Sequence, residues 1–228
     1  MNKKDLFKKI KRVSLIVTLA AMIFASMSVG VVGAVGPTIF INEIHYDNTG
    51  ADTGEAIEIA GPAGTDLSGW SLVLYNGADT GVYRKKALSG VIPNQQAGFG
   101  TLSYSINPIQ NGAPDGIALV DSTDTVIQFL SYEGSFTAND GPAAGMTSTD
   151  IGVSESGSTP AGHSLQLTGT GTTYDDFTWS DPAEDTFGSL NTGQTFETSE
   201  EIPEFPTLAL PILVVIGLMF LYQRRRGK

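Results

Sequence analysis

Residues 66–75 read DLSGWSLVLY, and they predict the strand around which the rest of the fold is arranged. Asp66, Ser68 and Gly69 form a turn signal that leads into this strand. Alternate positions then define two mostly apolar faces, which are Trp70, Leu72 and Leu74 on one side and Ser71, Val73 and Tyr75 on the other. Because both faces are apolar, we expect this strand inside a sheet, with Trp70 as the largest single part of the core.

Similar short segments recur along residues 37–196, separated by turn signals about every ten residues. They predict about nine strands and no helix of convincing period. The chain is 41% hydrophobic with 27 glycines and 11 prolines, which favours many short elements over long helices. The predicted fold class is therefore all-β, an antiparallel β-sandwich.

The first predicted strand, residues 37–48 (PTIFINEIHYDN), changes its alternation halfway. Ile39 and Ile41 share one parity, whereas Ile44 and Tyr46 share the other. A β-bulge near Asn42 would direct both pairs to one core. In the next segment, residues 55–60, the same alternation places Glu58 outward.

Two further segments carry distinct signals. Residues 82–88 (VYRKKAL) hold three cations in a row, which favours an edge strand because lysines there discourage aberrant pairing. Residues 133–162 contain few large apolar residues, and a stretch of that length without strands is typical of a functional or mobile loop. We expect Phe136 and Met146 of this loop to be exposed contacts.

The charge is distributed unevenly along the chain. Of the 13 basic residues, six lie in residues 3–12 and four in residues 224–228, so the rest of the chain carries three basic and 23 acidic residues. The resulting charge of −20 repels phosphate backbones, which makes nucleic acid an unlikely partner. The chain has no cysteine, so no disulfide stabilises the fold.

The amino-terminal segment has the three parts of a secretory signal peptide. A basic start is followed by an apolar run over residues 13–27 and by small residues up to Ala34. We expect residues 1–34 to be removed by signal peptidase after Ala34. The alternative is a signal anchor that stays attached.

The carboxyl-terminal segment combines a motif, an apolar span and a basic stop. An acidic linker over residues 198–206 ends in the motif, residues 207–222 are apolar, and residues 223–228 carry three arginines. The span predicts a transmembrane segment, and the positive-inside rule places the arginines in the cytoplasm and the preceding domain outside the cell. The motif consists of Pro203, Glu204, Phe205 and Pro206.

This arrangement resembles the archaeal PEF-CTERM sorting signal. The resemblance implies recognition by an archaeosortase, cleavage near the motif and replacement of the tail by a lipid anchor. An ordinary transmembrane anchor is the alternative and gives the same topology. Either way, we expect a cell-surface protein with its domain tethered outside the membrane.

Residues 35–197 resemble a lamin-tail domain of the bacterial and archaeal branch. The resemblance is carried by INEIHYDNTGADTGEAIEIAGP (residues 41–62), TDLSGWSLVLYNG (65–77), PDGIALVD (114–121), HSLQLTG (163–169) and DFTWSDPAEDTFGSLNTGQTF (176–196). It implies an immunoglobulin-like sandwich. The family has no established catalytic residues, and its prokaryotic members commonly accompany a secreted nuclease domain.

Two constellations of polar residues have alternative interpretations. Asp47, Asp52 and Glu55 offer oxygen ligands for calcium from a flexible turn, or they form an ordinary acidic turn. Glu43 and His45 alternate with Asp47, as in a metal or acid–base set, but a polar solvent face is the interpretation we favour. A second acidic cluster, with the same two interpretations, comprises Asp175, Asp176, Asp181, Glu184 and Asp185.

These features favour a non-catalytic, surface-anchored module of the archaeal cell envelope. It would bind a protein or a glycan and need no cofactor, with calcium as the one candidate. Two alternatives stay open. The first is a calcium-dependent accessory module or a divergent secreted nuclease or hydrolase, and the second is a structural spacer without specific recognition.

Overall fold

The computed structural model describes residues 36–198, together with Asn2, Lys4 and Arg225 as single residues. The predicted signal peptide, sorting motif, apolar span and basic stop lie outside the described residues, apart from those three positions. Within the described part of the chain, no helix has the length and apolar character needed to cross a membrane. Residues 36–198 form β-strands and one short 3₁₀ helix, without any α-helix.

The strands are mostly six or seven residues long. In chain order they are β1 (Phe40–His45), β2 (Ala56–Pro62), β3 (Ser71–Asn76), β4 (Gly81–Ala87), β5 (Phe99–Ser105), β6 (Asp115–Val120), β7 (Val126–Tyr132), β8 (Thr149–Asp150), β9 (His163–Gly171), β10 (Phe177–Glu184) and β11 (Gln194–Phe196). The 3₁₀ helix spans Tyr174–Asp176 and precedes β10.

The strands form two sheets. The first has the order β10-β9-β1-β2-β5, with β11 parallel to the end of β9, and the second has the order β4-β3-β6-β7-β8, with β8 parallel to β7. All other pairs are antiparallel. The strand predicted from residues 66–75 is thus internal to its sheet, and the basic strand β4 is an edge, as expected from the sequence.

One hydrophobic cluster is shared by the two sheets. It contains Ile44 and Ile57 of the first sheet together with Leu72 and Leu119 of the second, all 1% exposed or less. Burying such side chains supplies the main favourable free energy of folding, at roughly 25 cal/mol per Å² of apolar area. The prediction of an all-β fold with two packed sheets is confirmed, and residues 36–198 form eleven strands rather than about nine.

The predicted bulge in β1 is confirmed between Ile41 and Glu43. It allows both Ile41 and Ile44 to be buried, although they have opposite parity in the sequence. The backbone N–H of Ile41 donates to Oε1 of Gln128 on β7, at 2.8 Å. A buried glutamine of the second sheet therefore satisfies a donor of the first sheet.

Two segments cover the outer faces of the sheets and overturn several expectations. Residues 133–148 cover the second sheet, where Phe136 packs against Phe129 and is only 9% exposed, so its predicted exposure is wrong. Residues 185–194 cover the first sheet, so Glu58, expected outward, is fully buried. Trp70 precedes β3 and is only partly buried, so it is not the centre of the core.

We expect Gln128→Met to lower the free energy of unfolding by about 1–3 kcal/mol, because it preserves the side-chain volume but leaves the N–H of Ile41 without an acceptor. Urea unfolding followed by tryptophan fluorescence measures this, since both tryptophans, Trp70 and Trp179, pack in the sandwich. An unchanged or higher stability would contradict this expectation.

Candidate functional site

The two ends of the sandwich differ in what they carry. The proximal end holds the two termini of the described domain. The carbonyl oxygen of Pro37, near the first described residue, accepts from the N–H of Tyr174, and the N–H of Glu197, near the last one, donates to the carbonyl oxygen of Gly171 at the end of β9. The distal end includes three connections, residues 46–55, 77–80 and 106–114. Strands of six or seven residues separate the two ends by about 20 Å.

A buried ion pair closes the distal end. Nδ1 of His45 lies 2.8 Å from Oε1 of Glu155, and the two side chains are 3% and 0% exposed. Nε2 of His45 faces Oδ1 of Asn48 at 3.2 Å and the carbonyl oxygen of Thr53 at 3.0 Å. Because all these neighbours are acceptors, both ring nitrogens donate and the imidazole is positively charged.

The ion pair shifts the titration of the imidazole. Burial alone would lower the pKa of His45, but the hydrogen bond and the charge of Glu155 outweigh it and raise the pKa to about 9. The orientation of the Asn48 amide is fixed independently, since its oxygen accepts from the N–H of Thr53 at 2.9 Å. His45 is therefore a structural cation inside the fold.

Glu155 also ties the long segment 133–162 to β1. Its Oε2 accepts from the backbone N–H groups of Tyr46 at 2.6 Å and Asp47 at 3.0 Å. Its own N–H donates to the hydroxyl of Tyr46 at 2.8 Å, and that hydroxyl donates to Glu133 at 3.0 Å. The ring of Tyr46 stacks on Tyr132 of the second sheet, with centroids 3.9 Å apart.

An open pocket of about 210 Å³ lies at the distal end. Its walls come from the β3–β4 turn and from the connection before β6, with Asn76, Ala78, Gln110, Asn111, Gly112, Ala113, Pro114 and Asp115 as lining residues. Asp115 joins the two walls, because its oxygens accept from the N–H groups of Gly77 at 3.0 Å and Gly112 at 2.9 Å. A Cβ on Gly77 would lie 2.0 Å from the carbonyl oxygen of Pro114, so the walls touch at this glycine.

The predicted calcium ligands lie beside this pocket. The carboxylates of Asp47 and Asp52 are neighbours. Burial raises the pKa of Asp47, and the negative charge of Asp52 raises it further. The Asp47 carboxylate also accepts a hydrogen bond from the side chain of Asn111. Glu55 is 3% exposed, and one of its oxygens accepts from Ile109 at 2.6 Å while the other has no partner. Among residues 36–198, no three His, Asp or Glu side chains form a group that could hold a metal ion. The calcium site stays a prediction.

A second polar network is enclosed on the first sheet. Oε2 of Glu58 accepts from the N–H of Gly188 at 2.6 Å, and its Oε1 accepts from Asn42 at 3.0 Å. Oε1 of Glu43 accepts from Ser164 at 2.5 Å and from the N–H of Thr186 at 2.8 Å. Burial raises the pKa of Glu58 to about 8, although the hydrogen bonds to its carboxylate act to lower it. Burial also raises the pKa of Glu43.

The structure separates the residues that the sequence had grouped. The solvent face expected for Glu43 and His45 is wrong, since they are 0% and 2% exposed and belong to two different networks. Sequence reasoning missed Glu155, which lies in the long segment of residues 133–162. A usable signal was present, because Glu155 is the one charged residue between Asp150 and Asp175.

The carboxyl-terminal residues 202–226 match the PEF-CTERM archaeal protein sorting domain. This match indicates a cell-surface, membrane-anchored protein that is processed by an archaeosortase. No curated protein and no solved structure matches the chain.

The domain should lose stability as the pH rises, and His45 should account for part of the loss. The pKa of His45 is about 9 when folded against an ordinary 6.5, so its contribution is complete below pH 6.5 and disappears as the pH rises through 9. We expect His45→Gln to lower the melting temperature at pH 6 and to flatten its decline between pH 6.5 and 9, measured by differential scanning calorimetry.

The same substitution at the other histidine is the control. His163→Gln should leave the decline in place, because Nδ1 of His163 has no hydrogen-bond partner. A decline of equal slope in His45→Gln would contradict the role of the ion pair.

Glu58 should contribute to the same trend at lower pH. Its folded pKa of about 8 exceeds the ordinary 4.5, so the folded state holds a proton that the unfolded state has lost, and stability falls between pH 4.5 and 8. We expect Glu58→Gln to flatten the decline of the free energy of unfolding in this window. The control is Glu184→Gln at an exposed position, and equal slopes in both variants would refute the assignment.

Proposed function

We propose that this protein is a non-catalytic module of the archaeal cell envelope, displayed outside the membrane and used to bind an envelope component. The observation that carries the proposal is the sorting-domain match at residues 202–226, only a few residues beyond the last strand of the β domain. Three residues separate Thr198 from the match, a span of at most about 14 Å even when fully extended. The anchor therefore begins close to the proximal end of the domain.

The domain itself is proposed to be lamin-tail-like, with an immunoglobulin-like sandwich. In support, the segments that carry the resemblance form β1, β2, β3, β6, β9, β10 and β11. The first five of these strands supply most of the shared core. Two sheets of mainly antiparallel strands are the expected architecture for such a domain. The pairing of β11 with β9 extends the first sheet up to the start of the linker.

The placement of the acid–base groups supports a role without catalysis. Glu43 and Glu58 have no exposed surface, and His45 is held in a closed ion pair with Glu155. A general acid or base must reach the proton that it transfers, within hydrogen-bond distance of the substrate. These four groups are enclosed by the protein and engaged in internal hydrogen bonds, so they stabilise the fold.

The surface supports a polar partner rather than an apolar one. Among the residues that the structure describes, Val91 and Met146 are the large hydrophobic side chains that are exposed. They lie on different connections, so they do not add up to the contiguous apolar patch that marks many protein interfaces. Charged and hydrogen-bonding groups would therefore dominate recognition.

Anchoring can be tested by replacing Pro203, Glu204, Phe205 and Pro206 with alanine in an archaeal host that has an archaeosortase. We expect the parent protein to lose its apolar tail and gain a lipid, and the variant to keep the tail, because the processing enzyme no longer recognises the motif. Intact mass of the protein extracted from membranes distinguishes the two products.

The matched control replaces Glu200 and Glu201, which lie just before the sorting domain, with alanine. This control should be processed like the parent. If the motif variant and the parent carry the same carboxyl terminus, or if the parent is found in the cytosol, the proposal of sortase-type display is wrong.

A further inference from the structure

We propose that the pocket at the distal end binds the Lys or Arg side chains of a basic polypeptide. This inference rests on the proposed function, because it assigns a partner class to the binding module. It is carried by the position of the pocket, by its size and by the charges around it.

The position of the pocket suits recognition away from the membrane. The linker to the anchor starts at the proximal end, where Glu197 bonds to Gly171. The pocket lies between the β3–β4 turn and residues 110–115, which are at the opposite end of the strands. The pocket is therefore about one strand length, roughly 20 Å, from the residues that lead to the anchor.

The size of the pocket limits the ligand. Its volume of about 210 Å³ is below the roughly 300–1,000 Å³ of pockets that enclose whole small molecules. The pocket is open to solvent, so it suits one side chain of a longer ligand whose backbone stays outside. Three of the lining residues, Ala78, Ala113 and Pro114, are apolar and match the methylene stem of a Lys or Arg side chain.

The charges around the pocket select a cation. Asp115 lines it, and Asp79 and Glu133 are near enough to act electrostatically on Asp115. Gly134, next to Glu133, lies against Pro114 of the pocket wall, with an added Cβ 3.6 Å from the Pro114 Cβ. None of the lining residues is basic, so an anionic ligand such as a phosphate would meet only like charges.

Asp79 and Glu133 are exposed residues beside the pocket, outside its lining, and each is only partly engaged by the protein. Oδ1 of Asp79 accepts from the N–H of Gly81 at 3.0 Å, and Oε1 of Glu133 accepts from the hydroxyl of Tyr46 at 3.0 Å. Within residues 36–198, the second oxygen of each forms no hydrogen bond. Asp115, by contrast, uses both oxygens to join the walls and contributes only its charge.

The cations of the domain itself leave the pocket available. Residues 36–198 contain three basic residues against 20 acidic ones, and all three are on β4. Arg84 is engaged by the carbonyl oxygen of Asn107, at 3.1 Å from its Nη1. Charge complementarity therefore points to a cation supplied by another polypeptide.

The test measures binding of a fluorescently labelled hexalysine peptide to the full chain in a non-ionic detergent, by fluorescence anisotropy. We expect hexalysine to bind and hexaglutamate and a glycine–serine hexapeptide not to bind. The double variant Asp79→Asn with Glu133→Gln should weaken hexalysine binding by roughly fivefold. Both changes preserve the accepting oxygens of the internal bonds, so the loops should keep their conformation.

The control removes the same charge at the opposite end. Asp124→Asn with Asp175→Asn changes two exposed proximal carboxylates, and it should leave the affinity for hexalysine within twofold of the parent. Equal weakening by both double variants would mean general attraction to an acidic surface and would overturn the proposal. So would the absence of hexalysine binding, whereas the proposed display at the cell surface fails only if the motif experiment fails.

Discussion

The bulge in β1 is the constraint on which both faces of the first sheet depend. One extra residue between Ile41 and Glu43 brings Ile41 and Ile44 into the same core. It also leaves the N–H of Ile41 to be satisfied by Gln128 of the other sheet. Glu43 and His45 come after the bulge, two positions apart on β1. Each belongs to one of the two buried polar networks, so both networks start from the same strand.

These networks show how an acidic domain with few cations buries charge. Burying an isolated carboxylate costs far more free energy than a hydrogen bond returns, so the group must be paired or neutralised. Glu155 is paired with the imidazolium of His45. Glu58 has no such partner, and its pKa rises to about 8 under the effect of burial, so that it keeps its proton near neutrality. Both solutions favour the folded state at the acidic side of neutral pH.

The alternation of apolar residues predicted strands, but it gave the wrong burial for residues that other segments of the chain cover. The internal position of β3, the edge position of β4 and the bulge followed from alternation and charge within single segments. The burial of Glu58 did not, because it depends on residues 185–194, far along the chain. The burial of Phe136 did not, because the loop that carries it folds back over the second sheet. An alternating pattern tells which residues share a face, but it cannot tell whether that face is covered by another part of the chain.

Two buried carboxylates outside those segments, Glu155 and Asp115, hold the backbone of the connections at the distal end. Glu155 binds the backbone of Tyr46 and Asp47 and the side chain of His45, so it fixes the first connection from inside. Asp115 fixes the other two by bonding Gly77 and Gly112. Because buried carboxylates hold the backbone of all three connections, the exposed side chains Asp79, Asn111 and Glu133 carry no core packing. Conservative changes at these positions are therefore expected to leave the core of the sandwich in place.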